Sequence, residues 1–173
     1  MRKNYKEGGW FAIPVSEGQF ALGLMARTPR GHGAIGYFFG PYTSIPEAEK
    51  ASHQVSRNDA IEIADFSDLA IWDGQWPILR SSERWDRSQW PVPDMTRIDI
   101  VTGRYAHLSR YDDKFKFQWE IVISVEDAVR FPEDCCRGSE SLRIALEMLF
   151  ADPPPLPRFT PSLKWQGPVI GPK

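Results

Sequence analysis

The chain opens with apolar runs of strand length separated by short polar turns. Gly9-Trp10-Phe11-Ala12-Ile13-Pro14-Val15 leads into the turn Ser16-Glu17-Gly18, and Gln19-Phe20-Ala21-Leu22-Gly23-Leu24-Met25-Ala26 follows at once. Two such runs on either side of a Gly-containing turn predict an antiparallel hairpin. Gly33-Ala34-Ile35-Gly36-Tyr37-Phe38-Phe39-Gly40 predicts a third strand, so the first forty residues read as a meander. After it, Ser44 and Glu47 stand at the spacing of a capping box, which predicts a short helix or turn over 43–51. Asp59-Ala60-Ile61-Glu62-Ile63-Ala64-Asp65 alternates polar and apolar residues and predicts a half-buried strand. Residues 67–71 read as a helical turn, and Asp73-Gly74 delivers Trp76-Pro77-Ile78-Leu79 as a short strand that Pro77 confines to an edge or a strand end.

From residue 80 to residue 93 neither period holds, and charge, Trp and Pro are mixed, so this stretch reads as a loop. A second group of strands is predicted over 97–101, 104–111 and 115–121, with turns at Thr102-Gly103 and Asp112-Asp113-Lys114. Two helices then close the domain. The first begins at Ser124 and stops before Pro132; the second, over 139–150, carries Leu142, Ala145, Leu146 and Leu149 on one face, a stripe fit to pack on a sheet. The pattern divides the chain into one globular domain over 1–151 and a Pro-rich tail over 152–173, read as a strap or as disorder. Within that tail, residues 154–158 favour an extended polyproline conformation over an SH3-ligand role. The predicted fold is α+β: a curved, mostly antiparallel sheet or partly open barrel with one or two C-terminal helices packed on it.

Length, charge and composition adjust this picture. A chain of 173 residues buries enough surface for one core. Its net charge of −2 supplies no cluster of unopposed Lys and Arg for phosphates, so no nucleic-acid partner is expected. The apolar runs are strand-sized and the start of the chain carries no apolar signal region, so no membrane partner is expected and the location read from the sequence is cytoplasmic. The only cysteines, Cys135 and Cys136, are adjacent and read as reduced thiols rather than a disulfide framework. Seven Trp are an excess that needs either a core or a contact surface to hold it.

Candidate chemistry is sparse. None of His32, His53 and His107 stands at metal-ligand spacing, the Gly-rich pieces around Gly31 and Gly33 lack the order of a phosphate cradle, and no nucleophile elbow occurs, so no cofactor or metal is expected. His107 with Tyr105 and Arg110 could form a ribonuclease-like acid/base group, and a small hydrolase or nuclease using His107, Arg110 and Asp112 is the alternative function. The plainer reading is that Tyr105 and His107 share a strand face and that Asp112 belongs to a hairpin turn. The loop offers a different role: Glu83, Arg84, Trp85, Asp86, Arg87 and Trp90 mix indoles with charges as interface hot spots do, unless the Trp fold back as lids over the core.

The opening hairpin and the segment around Trp76 carry a resemblance. Gly9, Phe11, Ala12, Ile13 and Pro14 on the first strand, Gly18 in its turn, the Gly23-containing second strand, and Trp76 after Asp73-Gly74 resemble the bacterial immunity protein 26 family. That resemblance implies a non-enzymatic protein of a polymorphic toxin system, one that binds and neutralises a cognate toxin domain without a cofactor. It covers about the first half of the chain and transfers scaffold positions only. The toxin-binding candidates of the loop rest on composition.

Overall fold

The computed structural model describes residues 6–29, 33–82, 85–151 and 161–167. These form an α+β fold of two open sheets. The three opening runs become β1 (Gly9–Ser16), β2 (Gln19–Arg27) and β3 (Ala34–Tyr42), consecutive and antiparallel. After α1 (Ile45–Ala51), β4 (Glu62–Phe66) pairs antiparallel with β3. The one-turn helix α2 (Leu69–Trp72) leads to β5 (Ile78–Ser81), which returns to the far side of β1. The second sheet is β6 (Met95–Ile98), β7 (Tyr105–Tyr111) and β8 (Phe117–Ser124), in that order. One turn of helix, α3 (Val125–Ala128), then β9 (Cys136–Arg137) and α4 (Ser139–Phe150) follow. Strand β9 pairs parallel with β4, so the first sheet runs β5-β1-β2-β3-β4-β9 and remains open at both edges.

The first sheet is covered on both faces. On one side Phe11, Ile13, Val15, Met25, Phe38 and Phe66 meet Leu142, Leu146 and Phe150 of α4, together with Trp76. On the other, Trp10, Leu22, Leu24, Ile35, Tyr37 and Phe39 meet Trp90 and Met95. Burial on both faces explains why β1 to β3 read as near-continuous apolar runs instead of alternating. The predicted stripe of α4 holds at Leu142 and Leu146, with Leu149 partly buried against the same core and Phe150 completing it.

Local chemistry moves several predicted boundaries. Ser44 Oγ accepts from the Glu47 amide (3.3 Å), as expected of a cap, but the Glu47 carboxylate reaches back to the Thr43 amide and hydroxyl (both 2.7 Å). The strand predicted over 97–101 is β6, two residues earlier, because the Asp99 carboxylate accepts from the Thr102 amide (2.8 Å) and hydroxyl (2.6 Å) and closes the turn there. The strand predicted over 115–121 starts at Phe117: Asp112 Oδ1 accepts from the amides of Lys114 and Lys116, lengthening the turn, while Phe115 takes φ +60° and stacks on Tyr111 at 4.5 Å. The first closing helix shortens to α3. Residues 161–167 act as a strap, with Asp94 N donating to the Leu163 carbonyl (2.8 Å) and Trp165 N to the Asp94 carboxylate (2.8 Å). Among the described residues no helix is long and apolar enough to cross a membrane.

Candidate partner interface

The loop between β5 and β6 is built as a clamp. Asp86 caps a 3-10 turn over Arg87–Gln89 by accepting from the Ser88 amide (2.9 Å) and hydroxyl (2.7 Å), bonds that hold its carboxyl below the usual range. Arg87 donates bidentately to Glu7 (2.8 Å twice) and to Asp113 (2.7 Å), tying the start of the chain to the β7–β8 turn. Beneath it lies Arg27, 2% exposed at the end of β2, which donates to the carbonyls of Ala26 (2.7 Å), Arg87 (3.2 Å) and Asp113 (3.2 Å) and pairs with the Asp113 carboxylate. Burial alone would raise the Asp113 pKa; the hydrogen bonds from Arg27 and Arg87 more than offset it and lower it.

Trp90 is 8% exposed and sits edge-on to Trp10 (5.8 Å), Tyr37 (5.2 Å) and Phe39 (6.1 Å). It is a lid over the second face of the sheet, not a surface anchor. Trp85 is half-buried against the same cluster, its ring packed so closely on Gly8 that a Cβ there would lie 3.0 Å from it. Of the six loop candidates, Asp86 is exposed and Arg87 and Trp85 are partly so, while Glu83 and Arg84 lie outside the described residues.

The trio His107, Arg110 and Asp112 is not brought together. His107 and Arg110, three residues apart on β7, point to opposite faces of the sheet. Arg110 binds the fully buried Asp94 bidentately (2.8 and 2.6 Å) and lies 4.4 Å over the ring of Trp119, and Lys164 adds a third contact to Asp94 (3.2 Å). Burial works against the Asp94 charge, but these partners win and lower its pKa. Asp112 is spent on its turn. His107 does meet a carboxylate, that of Glu120 at 2.9 Å, but Arg97 (2.8 Å) and Ser109 (3.2 Å) donate to the same group. Burial works against the Glu120 charge, but Arg97 and His107 outweigh it and lower its pKa, so the group is an ionised acceptor already engaged by three partners. Among the described residues no cluster of three or more His, Cys, Asp or Glu could hold a metal. Arg27, Asp94 and Glu120 escaped the sequence reading: Arg27 looks like the polar end of a strand, and Asp94 carries no motif.

The family described as immunity protein 26 matches residues 6–107, more than half of the chain. The protein belongs to that family. The immunity protein 26 match takes in the whole of the first sheet except β9, the clamp loop and β6, and ends within β7. None of the curated proteins and none of the solved structures matches.

Proposed function

We propose that the protein binds and neutralises a cognate toxin domain, and that it does so by contact, without chemistry of its own, in the cytoplasm of the bacterium it protects. Family membership is the observation that carries this reading. It is supported by the dispersal of His107, Arg110 and Asp112 into separate structural contacts. Within it, the exposed side of residues 85–89 supplies a polar rim through Asp86 and Arg87, which Trp90 supports from below. Co-expression with a candidate toxin domain, sought at the C-terminal end of a large protein encoded beside this chain, provides the test. Growth should be restored, and the purified pair should form a complex in which the toxin is inactive. Unrelieved toxicity would reject the reading, and so would a ribonuclease or esterase activity of the purified protein that disappears in His107→Ala.

A further inference from the structure

The turn between β6 and β7 exposes what a folded chain normally hides. Ile100 is 97% and Val101 86% exposed, side by side at its tip. This is not a slack loop: besides the Asp99 bonds to Thr102, the Gly103 amide donates to the Asp99 carbonyl (2.8 Å), the Asp99 amide donates to the Tyr105 carbonyl (3.0 Å), and Gly103 supplies the φ of +63° that the turn needs. A tip held this way binds with little ordering cost. Beside it opens a cleft of about 700 Å³, lined by Ile98, Ile100, Val129 and Phe131, so the apolar surface continues from the tip into a hollow. The loop over 85–89 offers only the half-buried Trp85, and specific interfaces need a fuller apolar centre.

Charge indicates what fits there. Arg97 is paired with Glu120, and Arg137 with Glu133 and Glu62, whereas Arg104 on the turn and Arg130 on the cleft wall are exposed and have no ion-pair partner among the described residues. The one carboxylate on the turn, Asp99, is occupied by Thr102. Arg104 and Arg130 are thus free to meet a partner's carboxylates near the apolar tip, while deeper in the cleft Asp134 accepts from the Tyr111 hydroxyl and Glu133 and Glu62 are paired with Arg137.

We infer that the Ile100-Val101 tip and the adjoining cleft form the apolar anchor of the toxin interface, taking a protein surface with an apolar hollow rimmed by carboxylates. The inference rests on the immunity reading, and one titration series separates the two. The probe is the candidate toxin domain of the co-expression test, titrated into the full chain, into Ile100→Ser with Val101→Ser, and into Arg104→Ala with Arg130→Ala. The first pair should raise Kd by about tenfold or more. Melting should move by no more than about 2 °C, as befits exposed positions. The arginine pair should slow association and flatten its salt dependence. If the serine pair does melt early, Ile100→Thr with Val101→Thr replaces it as the deciding variant. Wild-type binding that neither apolar variant weakens overturns the anchor and leaves the immunity reading standing; absence of wild-type binding overturns both. Retention of the wild type on phosphatidylserine-containing vesicles, lost in the apolar variant, would assign the tip to a membrane surface instead. A concentration-dependent dimer dissolved by the same change would assign it to a second copy of this chain.

Discussion

Trp90 fills a space framed by three aromatic rings from three positions on β1 and β3, and none of its neighbours can close in if it is removed. Trp10 and Phe39 already contact each other at 5.9 Å, and the Tyr37 hydroxyl is committed to the Pro91 carbonyl. Trp90→Ala should therefore cost roughly 3–5 kcal/mol. In a chain of this size that lowers the melting temperature by roughly 6–20 °C. Trp85→Ala, at a half-buried site, should cost less than half as much. Urea unfolding of the two variants side by side checks the order, and equal costs would mean that the loop is not anchored through Trp90. The same two residues show what composition can and cannot deliver. A Trp among charges has the makeup of a contact, yet which indole turns inward depends on the cavity left between sheets, which no local pattern encodes.

Between neighbouring strands, Gly23 and Phe11 form a directly opposed pair in which the ring lies over the glycine. A Cβ on Gly23 would sit 2.3 Å from the Phe11 ring. Phe11 cannot retreat, because it is stacked on Trp76 (5.9 Å, 2° between planes) and wedged against Phe66 (5.8 Å). Gly23→Ala should destabilise by about 1–3 kcal/mol in a calorimetric melt, an overpacking effect. Gly18→Ala, at φ +68° with open space around the site, should cost only the backbone strain of about 1–2 kcal/mol. At this scale the sequence was legible wherever a continuous apolar run ended at a clear turn, as over β1 to β3, or an apolar stripe held the helical period, as over α4. It failed where a side chain set the turn. A tight turn at Asp112-Asp113-Lys114 would place His107 across from Trp119; the longer turn that Asp112 holds, with a register shift between Arg110 and Tyr111, places it across from Val122 and within reach of Glu120 instead. The sequence therefore could show a histidine on an alternating strand but not its partner.

For the molecule as a whole, the buried and half-buried carboxylates set the response to acid. Asp94, Asp113 and Glu120 all have lowered pKa values in the fold. Each contributes stability that is present above the unfolded carboxyl value, about 4, and is lost as pH falls through the lower folded one. Glu62 acts in the opposite sense: burial raises its pKa, so its contribution is present below the unfolded value and lost as pH rises through the folded one. Asp113 is more than half exposed and its share is screened, whereas Asp94 is completely enclosed and dominates. The urea midpoint should fall as pH is lowered from about 5 toward 2. Asp94→Asn should be less stable at pH 7 and should show a flatter acid limb. An unchanged limb would mean that protonation of Asp94 is not what sets the response to acid. The contacts of Arg27 with Asp113, between the sheets, and of Asp94 with Lys164 and Trp165, to the strap, link segments far apart in sequence, which is why these junctions could not be read residue by residue.

Strand β9 has a consequence for how the chain is made. It covers the outer edge of β4 through the pairs Asp65–Cys136 and Phe66–Arg137, so about 70 residues must be synthesised between the strand and its cover. At the usual pace of translation this takes roughly 4–14 s. Throughout that interval the nascent meander presents an unpaired apolar edge that could recruit a strand from another polysome-bound chain. A ribosome stalled after Phe66 and before Cys136 would release a product with β4 uncapped and α4 missing, and aggregation of such truncated products follows from the order in which the strands are delivered.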